Sequence, residues 1–187
     1  AVDQGYALAQ FNFGQMYATG EGVPQDYVEA ARLYRLAADQ GYVFAQNNLG
    51  AMYGNGTGVP RDYAEAVRWY RLATEQGYAE AQYNLGAMYD GGTGVPQDTP
   101  EAARLYRLAA EQGYGPAQYN LGHMYATGEG VLQDDVEAYM WWSVFEALEG
   151  FAAARENKAI IEKRMTPAQI AEAQRRFREW MVRHPPE

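Results

Sequence analysis

The hydrophobic and glycine positions of the chain recur with a period of 36 residues. Gly-Tyr pairs keep this spacing and begin at residues 5, 41, 77 and 113. Met-Tyr pairs keep it as well and begin at residues 16, 52, 88 and 124. The same residue pairs recurring four times at one fixed spacing are the sequence signature of a repeat protein. We therefore predict four repeats, over residues 5–40, 41–76, 77–112 and 113–149.

Each repeat has the pattern of two helices, A and B, joined by a Gly-x-Gly turn. In the third repeat Ala81, Leu85 and Tyr89 recur at helical spacing, which predicts helix A over roughly residues 79–90. The turn that follows suits glycine, because glycine tolerates positive φ. Helix B then begins after Asp98 and closes at Gly113, a residue type typical of helix C-termini.

Helix B has the same start signal in every repeat, an aspartate followed three residues later by a glutamate. The pairs are Asp26 and Glu29, Asp62 and Glu65, Asp98 and Glu101, and Asp134 and Glu137. This is an aspartate version of the capping box, in which the two side chains satisfy free N–H groups at the helix start.

Helix A contains an internal glycine in every repeat. These glycines are Gly14, Gly50, Gly86 and Gly122. Each costs about 1 kcal/mol relative to alanine in a helix. A cost repeated four times predicts that a neighbouring helix approaches closely at this position.

The beginning of the chain and the fourth repeat depart from the pattern. Residues 1–4 match residues 37–40 and predict the end of an upstream repeat, which was cut, removed by processing or excluded by a designed boundary. In the fourth repeat the closing glycine, Gly150, comes one residue late, which predicts a one-residue insertion.

Residues 150–187 predict a C-terminal capping segment of two helices. The second begins at Thr166, with proline at the first helical position and Gln169 at the third. Its predicted apolar stripe consists of Ile170, Ala173, Phe177, Trp180 and Met181, and its opposite face carries Arg175, Arg176 and Arg178. A polar outer face on a terminal repeat keeps a repeat array from associating.

The repeat pattern resembles that of the Sel-one-like repeat (SLR) family, relatives of the tetratricopeptide repeats, over residues 5–148. In the third repeat the motif residues are Ala81, Leu85, Gly86, Tyr89, Gly92, Gly94, Val95, Asp98, Ala102 and Tyr106. The resemblance implies an all-α fold, a right-handed α/α superhelix (solenoid) of 36-residue helix–turn–helix repeats with a C-terminal capping helix. Well-known members are cysteine-rich and clamp each helix pair with a disulfide. This chain has no cysteine, so packing alone must stabilise it.

The resemblance also implies that helices A line a concave face, and spacing predicts which of their residues a partner would meet. These residues are Phe11, Asn12, Gln15, Asn47, Asn48, Ala51, Tyr83, Asn84, Ala87, Tyr119, Asn120 and His123. The aromatic members are either rigid anchors or core residues. The asparagines that recur every 36 residues either bind the main chain of a peptide or bond the adjacent helix. One equivalent position differs in residue type from repeat to repeat and is predicted to set specificity. Its residues are Gln15, Ala51, Ala87 and His123.

Charge narrows the class of partner. The chain has a formal net charge of -9 and a pI of about 4.8, which disfavours nucleic acid as a partner. The charge is uneven, with a net of -11 over residues 1–148 and +2 over residues 149–187. No apolar run approaches the roughly 18 residues that a membrane span needs, so no membrane insertion is expected.

Candidate chemistry is sparse. Ser143 is the only serine, and no Ser-x-x-Lys motif accompanies it, although cysteine-rich relatives have been linked to penicillin binding and hydrolysis. His123 and Glu129 are the only hint of a metal pair, and a lone histidine at a groove position is more often a contact residue. We expect no enzyme activity, no cofactor and no metal.

The sequence therefore predicts a monomeric scaffold or adaptor that binds a partner protein or an extended peptide on the face formed by helices A. Two alternatives stay open. In the first, the chain is a passive structural segment of a longer repeat array. In the second and more remote one, it is a penicillin-binding or penicillin-hydrolysing enzyme by family analogy.

Overall fold

The structure is a computed structural model that describes the backbone of residues 2–150 and 152–185 and the side chains of residues 6–150 and 152–185. The described residues form ten α-helices and no β-strand. The helices are α1 (Val2–Thr19), α2 (Tyr27–Asp39), α3 (Val43–Asn55), α4 (Tyr63–Glu75), α5 (Ala79–Gly91), α6 (Thr99–Glu111), α7 (Gly115–Thr127), α8 (Asp135–Glu149), α9 (Ala152–Glu162) and α10 (Pro167–Arg183). The predicted all-α fold of repeated helix pairs is confirmed, and the helix predicted over residues 79–90 is α5.

The chain divides into two compact units, residues 1–97 and 98–187. In the first unit each of the helices α1 to α5 packs against the next. Its core is built mainly from small residues around a few large ones, such as Tyr34, Leu49 and Trp69. In the second unit α7 packs between α6 and α8, and both α9 and α10 pack against α8.

The aspartates predicted to cap helix B do so in every repeat. Asp26 accepts hydrogen bonds from the backbone N–H groups of Val28 and Glu29, at 2.9 and 3.1 Å. The glutamate half of the predicted capping box is wrong. The N–H of Asp26 donates instead to the carbonyl of Tyr17, and the Glu29 carboxylate pairs with Arg32. The Glu29 carboxylate is therefore already paired with a cation one helical turn further along α2.

Helix B of the first repeat ends in a Schellman motif, as its glycine predicts. The N–H of Gly41 donates to the carbonyl of Ala38, and the N–H of Tyr42 donates to that of Ala37. At the beginning of the chain, α1 runs through Gly5 as one helix that starts at Val2. In the fourth repeat α8 has 15 residues where α2, α4 and α6 have 13, and Gly150 is its C-cap.

The internal glycines of helices A lie against aromatic rings of helices B. A Cβ atom on Gly50 would lie 2.8 Å from a ring carbon of Tyr70, closer than real side-chain carbons pack. Two equivalent glycines behave alike, Gly14 against Tyr34 and Gly122 against Trp142. The predicted close approach of helices is confirmed at these three positions.

The second glycine of the Gly-x-Gly loop touches the backbone of the preceding helix B. A Cβ atom on Gly58 would lie 2.0 Å from the carbonyl oxygen of Tyr27, and Gly58 has a φ of +70°. The same contact joins Gly94 to Tyr63 and Gly130 to Thr99. The loops therefore recur because each one packs on the previous repeat, a sufficient structural reason for the pattern.

A pair of glutamines joins the two helices of a repeat, and the fourth repeat lacks one member. The Gln40 amide donates to the Gln10 side chain at 2.6 Å, and the Gln76 amide donates to Gln46 at 2.7 Å. In the fourth repeat Leu148 stands 36 residues after Gln112. The buried oxygen of Gln118 consequently has no hydrogen-bond partner among the described residues.

Both helices of the C-terminal segment pack against α8. Thr166 and Gln169 form a complete capping box at the start of α10. Trp180 is buried and packs edge-on against Trp141 of α8, with ring centroids 6.3 Å apart. One correction concerns Arg176, which we expected on the solvent-facing side of α10 and which instead pairs with Glu137 of α8.

Stability of the first unit is expected to fall at alkaline pH because of Tyr70. Burial, with a smaller effect from the negative charge of Glu80, raises the pKa of Tyr70 from about 10 to about 12. An unfolded tyrosine ionises near pH 10, whereas Tyr70 in the folded protein stays neutral until about pH 12. Its contribution is therefore complete below pH 10 and is lost as the pH rises from about 10 to about 12, by roughly 3 kcal/mol.

Urea unfolding at pH 8 to 12 checks this expectation, with Tyr70→Phe as the matched variant. The wild-type free energy of unfolding should fall more steeply above pH 10 than that of the variant. Parallel curves for the two proteins would contradict the assignment to Tyr70.

Candidate functional site

Ten of the twelve predicted partner-binding residues lie at least partly at the surface, and two do not. Phe11 is only 9% exposed, and its ring packs against Tyr34 and Tyr42. Asn47 is 2% exposed, and its side-chain oxygen accepts a hydrogen bond from Asn84 at 3.1 Å. These two residues are corrections to the predicted site, because neighbouring helices cover them and a partner cannot reach them.

The recurring asparagines differ in their surroundings. Asn48 of α3 is half-buried and hydrogen-bonds the hydroxyl of Tyr34 in α2, which offsets part of the rise in the pKa of Tyr34 caused by burial. Asn84 bonds Asn47 of the preceding helix A. Asn12 is exposed and Asn120 is half-buried. For Asn48 and Asn84, bonding to an adjacent helix is therefore an observed role.

The first unit contains a hollow of about 190 Å³ between α1, α2 and α3, which we call the α3 groove. Its lining residues are Ala18, Tyr27, Tyr34, Asn48, Ala51, Met52, Asn55 and Thr57. Two predicted residues, Asn48 and Ala51, are among them. None of these described side chains is charged, so the groove offers amide and hydroxyl groups beside apolar surface.

Tyr27 forms one wall of the α3 groove, and sequence reasoning missed it. It is the first residue of α2 and is 42% exposed. Its hydroxyl accepts a hydrogen bond from the Gln25 amide at 2.9 Å, and the same amide donates to the carbonyl of Ala18 at 2.8 Å. The ring is thus held in place. The sequence did contain a signal for Tyr27, because a tyrosine, Tyr63, also follows the capping aspartate of the next repeat.

Other predicted residues of the first unit lie on α1 and α5. Gln15 and Ala87 are exposed, and Tyr83 is half-buried. In the second unit the predicted residues belong to α7. The hydroxyl of Tyr119 accepts a hydrogen bond from Asn157 of α9 at 3.1 Å, and its ring packs against Phe145. The capping segment therefore covers part of the Tyr119 side chain, whereas the side chain of His123 is exposed.

Ser143 and Lys158 approach each other, but not as a nucleophile and its base. The Ser143 hydroxyl donates to the carbonyl of Tyr139 at 2.8 Å. Lys158 Nζ lies 3.3 Å from the Ser143 hydroxyl oxygen. Lys158 Nζ also forms an ion pair with Glu146, so it has two partners and is not directed at the serine alone. In the described part of the chain no three His, Asp or Glu side chains gather as metal ligands. No helix there is both long and apolar enough to cross a membrane.

Helix pairs of 36 residues, closed by Gly-x-Gly loops and a buried inter-helix glycine, define an α-helical repeat protein of the solenoid class. The family model of the Sel1 repeat matches residues 7–42, 43–78, 79–114 and 115–143. The chain therefore belongs to the Sel1 repeat family, also called SLR proteins. Proteins of this family are generally protein-interaction scaffolds and are typically not catalytic.

Two solved structures support the assignment. The first, a protective antigen present in uropathogenic Escherichia coli strains that displays an SLR fold, is 42% identical with a TM-score of 0.80, over 84% of this chain and 34% of that one. The second, a Sel1 repeat protein from Oxalobacter formigenes, is 36% identical with a TM-score of 0.76, over 82% of this chain and 63% of that one. The chain thus spans less than two thirds of either relative. No curated protein sequence matches it.

Proposed function

We propose that the protein is an interaction scaffold that binds an extended segment of a partner protein in the α3 groove. The observation that carries this proposal is the uncharged lining, which combines the side chains of Asn48 and Asn55 with the fixed ring of Tyr27. Asparagine amides match the donors and acceptors of a peptide main chain. An exposed, immobilised tyrosine is a typical anchor at protein interfaces.

Charge favours a neutral or basic segment as the partner. The first unit holds 5 basic and 10 acidic residues, a formal net charge of -5. Helices α3 and α5, whose side chains are all described, contain no lysine or arginine. An acidic peptide would therefore meet net repulsion from the first unit, and α3 itself supplies no cation to offset it.

The proposal predicts that peptides selected on the protein lose affinity when the groove is altered. Peptides of twelve residues selected from a random library should bind Tyr27→Ala/Asn55→Ala with a Kd roughly 30-fold higher, at about 1 kcal/mol for each lost contact. Fluorescence polarisation measures the Kd. The selected sequences should be neutral or basic on average.

Val28→Ala is the matched control, because Val28 follows Tyr27 in α2 but is 67% exposed and does not line the groove. It should keep the wild-type Kd, and thermal unfolding should show that all variants fold. Equal binding of selected peptides to the wild type and the double variant would instead make the groove a passive part of the repeat array.

A further inference from the structure

The second unit has a pocket that the proposed function does not use. It lies between α8, α9 and α10, has a volume of about 420 Å³, and we call it the α8–α10 pocket. Tyr139 and Ser143 of α8 are almost fully buried beneath it, and Phe177 of α10 provides an apolar wall. Arg155 and Lys158, both from α9, bring two cations to it.

One lining residue of the pocket, Ser143, departs from the repeat. Ser143 stands at the position that arginine occupies in the other three repeats, at Arg35, Arg71 and Arg107. Each of those arginines lies over a tyrosine of the following helix A, at 5.4 to 5.9 Å from the ring centroid. Serine is much smaller than arginine and carries no charge. In the fourth repeat the cation comes from α9 instead: Lys158 Nζ lies 3.3 Å from the Ser143 hydroxyl oxygen and 5.2 Å from the centroid of the Tyr139 ring.

Among the residues that line the pocket, the two cations Arg155 and Lys158 outnumber the one carboxylate, Glu146. Lys158 Nζ lies 2.5 Å from one oxygen of Glu146, and Arg155 Nε lies 2.8 Å from the other. Lys158 first and Arg155 second lower the pKa of Glu146, so this carboxylate is ionised and neutralises only one of the two cations. A second carboxylate, that of Glu162, interacts with the Tyr139 hydroxyl but does not line the pocket.

We infer that the α8–α10 pocket binds a carboxylate attached to an apolar group. One excess positive charge matches a monoanion better than a doubly charged phosphate. The planar guanidinium of Arg155 suits a planar carboxylate, with Lys158 as the second donor. Phe177 and the ring of Tyr139 offer apolar surface to the rest of the ligand. The carboxylate belongs either to a small free acid or to the C-terminus of a peptide.

The test compares N-acetylphenylalanine with its amide, which has the same shape but no charge. The acid should bind at least tenfold more tightly than the amide in isothermal titration or in ¹⁵N-detected NMR titration of the full chain. Equal binding of acid and amide would overturn the inference. A tetrapeptide that ends in phenylalanine separates the two sources, because tighter binding than N-acetylphenylalanine identifies a peptide C-terminus and equal binding a small acid.

Two variants assign the binding to this pocket. Lys158→Met should raise the Kd of the acid at least tenfold, whereas Lys163→Met, an exposed lysine directly after α9, should leave it unchanged. Arg155 is 71% exposed, so Arg155→Gln tests the second cation without risk to the fold and should raise the Kd severalfold. Wild-type affinity in both Lys158→Met and Arg155→Gln would place the acid elsewhere and refute the site.

Discussion

Replacing Gly58 by alanine is expected to destabilise the protein by about 3 to 4 kcal/mol, although only one methyl group is added. Two effects combine. The φ of +70° is unfavourable for an alanine, at a cost of about 1 kcal/mol. The added Cβ would also lie 2.0 Å from the carbonyl oxygen of Tyr27, and backbone atoms cannot rotate away as a flexible side chain does.

Gly41→Ala separates the two effects. Gly41 has a φ of +85°, yet its Cβ would have nothing within 4 Å. This variant should lose only about 1 kcal/mol, the cost of the left-handed backbone. Urea unfolding followed by circular dichroism gives both values, and the difference between them measures the packing of the loop on the previous helix. If Gly58→Ala costs no more than Gly41→Ala, the loop does not pack as described.

The sequence predicts the helices and their glycines well, because all four repeats carry the same local signals. Asp98 fixes the start of α6 and Gly113 follows its end, and both signals are local hydrogen-bonding requirements. The internal glycine of helix A is similarly readable, since a repeated cost needs a repeated contact. The partner in that contact, an aromatic ring such as that of Tyr70, is visible only in the structure.

Errors of sequence reasoning occur where one side chain has competing partners. Glu29 satisfies a capping box in its spacing to Asp26, but Arg32 lies one turn further on and takes the carboxylate. Phe11 has the spacing of a partner-facing residue, yet Tyr42 of the following repeat covers it. Spacing along one helix defines a face but does not show how much of it the neighbouring repeat buries.

The two candidate sites were hidden from sequence for a related reason. Tyr27 belongs to helix B, whereas the resemblance directs attention to helices A. Ser143 and Lys158 are 15 residues apart and meet only because α9 packs against α8. Both sites also depend on departures between repeats, since Ser143 replaces an arginine and Tyr27 has no counterpart in the third and fourth repeats. Such departures are where a repeat protein gains individual chemistry.

Replacing Trp180 by alanine is expected to cost about 3 to 5 kcal/mol. Trp180 is 4% exposed and lies between Trp141, at 6.3 Å, and His184, which stacks on it at 4.2 Å. The indole N–H groups of Trp180 and Trp141 have no hydrogen-bond partner among the described residues. The contact is therefore apolar packing, and its removal leaves a cavity between α8 and α10.

The variant should also reveal whether the C-terminal segment works as a cap. Without Trp180, α10 should loosen and expose Trp141, which red-shifts the tryptophan fluorescence and makes it accessible to acrylamide. The uncovered apolar face of α8 should then promote association that grows with protein concentration, as expected of a repeat array without its cap. Val182→Ala, at an 80% exposed position of the same helix, should change none of these properties. A shielded Trp141 and a loss below about 1 kcal/mol in Trp180→Ala would mean that α10 is held by its ion pairs, such as that of Arg176 with Glu137, and not by this apolar contact.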